Sequence, residues 1–200
     1  MSIVFISGSP SAESRSARLL GLIRQRVDAE GKESSLISVR DLPAQALLHA
    51  KFDDPVIVEA TARVAAARAI VIATPIYKAA YSGVLKAFLD LLPQTGFADK
   101  IVLPIATAGS PAHILAVDYA LRPVIAALSA RDILAGVVAI DSQLQWSAEQ
   151  GLQVDPAIEA RIDNAVNALF ESLDRAEHEA LRRRQASADP IPFSAVRVSA

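Results

Sequence analysis

Short apolar runs alternate with longer stretches of helical periodicity along this chain, and that alternation limits the possible folds more than any other feature. Ile3 to Ser7 is a strand by pattern, ending in Gly and Pro. Ser14 to Glu30 follows as a helix, with Leu19, Leu20, Ile23 and Val27 on one face. Ser34 to Val39 is a second strand, followed by a linker whose short helix runs through Leu47. Pro55 to Arg68 has helical spacing, with Val56, Val64 and Ala67 expected to point inward. Ala69 to Thr74 is apolar throughout, as a strand buried on both faces requires. Ser82 to Leu92 is a helix stopped by Pro93, Ile101 to Ala106 a fourth strand, and Pro111 to Leu128 one long helix. Leu134 to Ile140 is the fifth strand. Asp155 caps a last helix with Pro156 at its first position and an apolar stripe of Ile158, Ile162, Val166, Leu169 and Leu173. Five strands alternating with helices predict an α/β fold with one parallel sheet covered on both faces.

The 200 residues fit a single domain, expected over residues 1–184, and no internal repeat or linker divides them. Residues 185–200 mix Ser, Pro and Ala and are expected to form a flexible or subunit-docking tail. A composition 52% hydrophobic argues for a packed core. A formal charge of −2 gives no electrostatic reason to expect nucleic acid or an anionic membrane. The absence of cysteine excludes disulfides, thiolate catalysis and Cys-ligated metals. The start Met1-Ser2-Ile3-Val4-Phe5 has no basic leader and no apolar run is long enough to span a bilayer, so the expected compartment is the cytoplasm.

Ligands of open α/β sheets bind beyond the carboxyl ends of the strands, which directs attention to three loops. The first runs from Gly8 to Ser16 and leads into a helix N-terminus, where free N–H groups and a partial positive charge favour anions. Ser9, Ser14 and Ser16 can add hydroxyl donors, and Arg15 a fork for phosphate oxygens. Neither G-x-G-x-x-G nor G-x-x-x-x-G-K-[ST] is present, so the loop suits a single terminal phosphomonoester. A plain helix cap is the competing reading of the same serines. The second loop, Thr74 to Gly83, carries Pro75, Ile76, Tyr77, Lys78, Tyr81 and Ser82. It can bind the edge of a flat ring through its backbone, or it can be a tight strand-to-helix turn with buried tyrosines. The third loop is Thr107-Ala108-Gly109-Ser110-Pro111-Ala112-His113, where Gly109 allows close backbone approach.

Other candidates for chemistry are weaker. His113 invites an acid–base role, although a lone His near a helix start is more often a packing or hydrogen-bonding residue. Asp90 and Asp118 fall on helices, where a solvated face or an ion pair is the usual explanation. Asp141-Ser142-Gln143 follows the fifth strand and can line the same crevice. Arg182-Arg183-Arg184 most simply ends a helix favourably. No metal-ligand spacing and no G-x-S-x-G elbow occur, so neither a metal nor a protein nucleophile is expected.

Gly8-Ser9-Pro10 with Ser14-Arg15-Ser16 resembles the phosphate loop of the NADPH-dependent FMN reductases, and Thr74 to Lys86 is similar to their flavin-ring loop and following helix. Leu47 to Asp53, Leu89 to Pro93 and Ala116 to Val124 resemble the branch serving two-component alkanesulfonate assimilation. The resemblance covers about Ile3 to Ser142. It implies a flavodoxin-like three-layer sandwich with strand order 2-1-3-4-5. It implies phosphate contacts from Ser9, Ser14, Arg15 and Ser16, ring contacts from Pro75, Ile76, Tyr77, Lys78 and Ser82, and flavin contacts from Thr107, Ala108, Gly109 and Ser110. Relatives often carry a second Gly where this chain has Ala108. It further implies a π-type bulge in the helix containing Tyr119, at a subunit interface of a homo-oligomer, either dimer or tetramer. The implied activity is hydride transfer from NADPH to FMN, with reduced FMN passed to a flavin-dependent monooxygenase in sulfonate sulfur assimilation. A quinone, azo or metal-ion reductase that retains its FMN is the alternative enzyme on this fold; an electron-carrier flavodoxin or a flavin-binding module without catalysis are the others.

Overall fold

Successive residues of the central strands point to opposite faces of one sheet, and both faces are apolar. In this computed structural model, which describes residues 2–188, β1 (Ser2–Ser7) sends Val4 and Ile6 to one side and Ile3 and Phe5 to the other. β3 (Ala69–Tyr77) divides Ile70 and Ile72 from Ala69, Val71 and Ala73 in the same way. The first face is covered by α2 (Ala44–Leu48), α3 (Pro55–Ala66), α4 (Gly83–Leu89) and α5 (Arg122–Ala127). The second is covered by α1 (Arg15–Ala29) and α6 (Pro156–Ala188). Each apolar side chain fully buried in these layers contributes about 2 kcal/mol. The whole expected stripe of α6, from Ile158 to Leu173, is in the core. On α3 the inward residues are Ile57, Ala60 and Val64, whereas Val56 is 44% exposed because it precedes the buried stripe by one position.

The sheet runs β2 (Glu33–Ser38), β1, β3, β5 (Ile101–Ala108), with β6 (Asp132–Ile133) and β7 (Val137–Ile140) both parallel to β5. Taking β6 and β7 as one interrupted strand, this is the flavodoxin-like order 2-1-3-4-5. The interruption has a clear cause. The Leu134 N–H donates to the Val102 carbonyl at 2.9 Å. The next rung of a parallel ladder would run from the N–H of residue 104 to the Leu134 carbonyl, and Pro104 has no N–H.

The expected helix over 111–128 is not continuous. A 3₁₀ turn covers Pro111–His113, widened π turns cover Val117–Leu121, and only then does α5 begin. Pro123 cannot donate to the Tyr119 carbonyl and crowds it, so the backbone widens on the preceding turn. The π bulge implied by the resemblance is therefore present, with Tyr119 on it, 78% exposed.

Three smaller features were not expected. β4 (Ala80–Tyr81) folds back antiparallel on the end of β3, which extends to Tyr77. β8 (Leu144–Ser147) and β9 (Gly151–Val154) form a separate hairpin before α6. The last helix also runs beyond Arg184 to Ala188, so Arg182-Arg183-Arg184 lies within it. The remainder of the expected tail lies outside the described residues. Among the described residues, no helix is long and apolar enough to cross a membrane.

Candidate flavin site

The strand register brings the three loops to one edge. Ser7 lies opposite Ala73, Pro75 opposite Thr107, and Ala108 opposite Ile140, so β1, β3, β5 and β7 end at a common level. The segments that follow them are therefore neighbours in space.

The first loop is a helix cap, as one of its two readings has it. Ser14 caps α1, its Oγ accepting the Ala17 N–H at 3.4 Å and sharing a 2.7 Å hydrogen bond with the Ser16 Oγ. The Ser9 Oγ accepts the Ser11 N–H at 3.2 Å. Ser9 and Ser16 have no exposed surface, so their hydroxyls shape the loop from within. The N–H groups of Arg15 and Ser16 donate to no group among the described residues. These orphan donors at the start of a fifteen-residue helix, beside the half-exposed Arg15 guanidinium, are the outward-facing elements suited to a phosphate.

The second loop is a braced turn. Lys78 and Ala79 have positive φ, 49° and 62°, which reverses the chain between Tyr77 and Ala80 in the manner of a type I′ turn. Holding two non-glycine residues there takes about 1–2 kcal/mol each. Pro75 and Ile76 are buried, while Tyr77 is 49% exposed and Lys78 is exposed. Ser82 is almost wholly buried and ties three elements together. Its N–H donates to the Thr74 Oγ1 at 3.0 Å, its hydroxyl donates to the Gly8 carbonyl, and its Oγ accepts the Leu85 N–H at 3.3 Å. Ser82 thus supports the site from behind. Ser82→Ala would uncap α4 and orphan the buried Gly8 carbonyl. A loss of about 1–2 kcal/mol is expected, read as a lower midpoint in denaturant unfolding with an unchanged slope.

In the third loop Thr107 and Ala108 are buried, Gly109 is exposed and Ser110 is half-buried. A Cβ at Gly109 would meet nothing within 4 Å. The protein's own packing does not require glycine there; the space beside it is open to a ligand. Ala108, in contrast, is 2% exposed and packs with Ile76, Ala116 and Val117, so a methyl group is accommodated inward.

Two charged pairs lie close to the ring loop. Lys86 donates to both carboxylate oxygens of Asp90, at 2.6 and 2.7 Å, and this bond raises its pKa. Burial raises that of the Tyr81 phenol, with Lys86 acting against it. Asp118 lies 3.9 Å from Arg122, again an i, i+4 pair. Both aspartates are thus surface ion-pair partners. His113 ends the 3₁₀ turn, half-exposed and with no side-chain hydrogen bond among the described residues. No metal-holding group of His, Cys, Asp and Glu occurs among the described residues. The donor set therefore fits a phosphomonoester joined to a planar ring: helix amides and a guanidinium at one loop, exposed strand ends and an open glycine at the next two.

Residues 1–145 match the family model described as NADPH-dependent FMN reductase. The chain belongs to that family. It is thereby an oxidoreductase working with FMN and NADPH. It is 47% identical over 176 residues to an FMN reductase (NADPH) of Pseudomonas putida, covering 88% of this chain and 89% of the relative. An FMN reductase (NADPH) of Escherichia coli is 41% identical over 175 residues, covering 88% and 91%. The crystal structure of an NADH:FMN oxidoreductase in its apo form superposes with a TM-score of 0.78 at 40% identity, covering 86% of this chain and 89% of that one.

Residues 1–145 also include Asp141, which the structure places 3.2 Å from Arg15. No local spacing signals that contact, because the partners are 126 positions apart.

Proposed function

We propose that this enzyme reduces FMN with NADPH and releases the reduced flavin to a flavin-dependent monooxygenase, in the setting of sulfonate sulfur assimilation. The observation that carries the reading is the single sheet edge formed by the loops after β1, β3 and β5, each with its own suited groups. Arg15 and the free amides of α1 hold the phosphate, with the Ser9, Ser14 and Ser16 hydroxyls ordering the loop. Pro75, Ile76, Tyr77 and Lys78 border the ring, backed by Ser82. Thr107, Ala108, Gly109 and Ser110 line its other side. Bound FMN supplies the redox chemistry by accepting hydride from the nicotinamide of NADPH. Backbone N–H groups near Lys78 and Gly109 stabilise negative charge on the ring. No side chain here needs to act as nucleophile or strong base, and His113 is left outside the mechanism.

Release of the product is what separates this reading from an FMN-retaining reductase. The segments Leu47 to Asp53, Leu89 to Pro93 and Ala116 to Val124 support the sulfonate branch. The same resemblance supports a homo-oligomer, a dimer or tetramer with its interface near the exposed Tyr119, and the lack of a basic leader or apolar span in the sequence supports the cytoplasm as its compartment. Steady-state NADPH oxidation is expected to rise with added FMN and saturate, using protein purified without flavin. Protein that stays yellow through purification and oxidises NADPH without any response to added FMN would overturn the release step.

A further inference from the structure

The outward guanidinium of the phosphate loop already has a partner. Arg15 Nη1 lies 3.2 Å from Asp141 Oδ2, with side chains 48% and 43% exposed. Asp141 is held on a braced turn. It opens a 3₁₀ turn, Asp141–Gln143, directly after β7. Gln143 accepts the Ile140 N–H at its Oε1, 3.0 Å away, and the Asp155 N–H at its carbonyl, 2.9 Å away. The β8–β9 hairpin that follows lies over α1, with the Arg18 guanidinium 3.8 Å from the ring centre of Trp146. The carboxylate is therefore presented to Arg15 by elements fixed independently of that contact.

A half-exposed pair of this kind adds under about 1 kcal/mol to stability. Its consequence for an incoming phosphate is larger. A phosphomonoester carries about −1.5 to −2 charge at neutral pH and needs the same guanidinium. Resting on the phosphate role of Arg15 proposed above, we propose that Asp141 weakens FMN binding: its carboxylate competes for Arg15 and repels the phosphate, which keeps the flavin exchangeable. Asp141 is then an affinity-setting residue, touching the ligand's binding group without taking part in hydride transfer.

The test is Asp141→Asn, with FMN and riboflavin titrated separately by quenching of Trp146 fluorescence. FMN should bind about fivefold more tightly at low ionic strength, riboflavin unchanged, and added salt should shrink the difference. Stopped-flow dissociation of FMN should slow correspondingly. Asp141→Ser should repeat the gain by removing the carboxylate differently, and Asp141→Glu should keep affinity near that of the parent. Unchanged or weaker FMN binding in the Asn and Ser variants would overturn the proposal and make Asp141 a positioner of Arg15. Equal tightening of both flavins would overturn it too. Arg15→Ala distinguishes the underlying reading. If that variant loses FMN and riboflavin equally, the phosphate assignment fails and this proposal falls with it; if FMN alone suffers and the Asp141 variants show no gain, only the competition fails.

Discussion

Gly8→Ala is expected to lower stability by about 3 kcal/mol and to remove most of the flavin affinity. The reason is space rather than backbone freedom. A Cβ on Gly8 would stand 2.8 Å from the Leu85 Cβ and 3.0 and 3.1 Å from its two methyl carbons. The Leu85 Cβ is fixed to α4 and cannot rotate away. The loop cannot retreat either. The Gly8 N–H donates to the Ala73 carbonyl at 2.7 Å, and its carbonyl accepts the Ser82 hydroxyl. One added methyl group must therefore push α4 outward or break a buried bond, and either change displaces the phosphate loop relative to the ring loop. Denaturant unfolding and FMN titration read the two losses. In a Leu85→Ala background the same substitution should be only partly relieved, because the two methyl contacts go while the 2.8 Å contact with the Cβ of residue 85 stays. Full stability of Gly8→Ala alone would show that α4 yields easily.

Arg15→Ala should weaken FMN binding by about 2 kcal/mol, roughly thirtyfold, and leave riboflavin affinity close to that of the parent. The side chain reaches outward from the first residue of α1, and among the described residues it pairs with Asp141. Its removal takes nothing from the core, so the melting temperature should barely move. That separates it from Gly8→Ala, whose effect on binding travels through the fold. Rising salt should narrow the gap between parent and variant, since the lost interaction is a partly solvated charge contact. Equal losses for FMN and riboflavin would refute a phosphate role for this residue.

The central strands are legible in the sequence because both faces of the sheet are apolar and few residues interrupt the pattern, whereas their order is carried by the family resemblance alone. Helix starts are legible because their caps are local: Ser14, Asp54, Ser82 and Asp155 each bond within three residues. The loops are legible as places, since strand ends of a parallel sheet converge. The division of labour within them is not. Whether Ser9 faces a ligand or its own loop depends on burial, and Gly8 reads as a turn residue until α4 is packed against it. The break in the fifth strand has a signal, Pro104, but it lies thirty positions from the gap it causes. The β8–β9 hairpin alternates Leu144 with Trp146 and Leu152 with Val154, a pattern too short to distinguish from loop.

That break also bears on how the molecule behaves in a crowded solution. Strands at the rim of a sheet present unpaired amides and carbonyls, a template on which a second chain can grow. At the β6–β7 rim the template is cut into pieces of two and four residues by the gap opposite Pro104. A mutant that restored an unbroken strand there would gain pairing with β5, and would also expose a longer adhesive rail. The proline thus keeps the exposed rail of this sheet short, at a position remote from its chemistry.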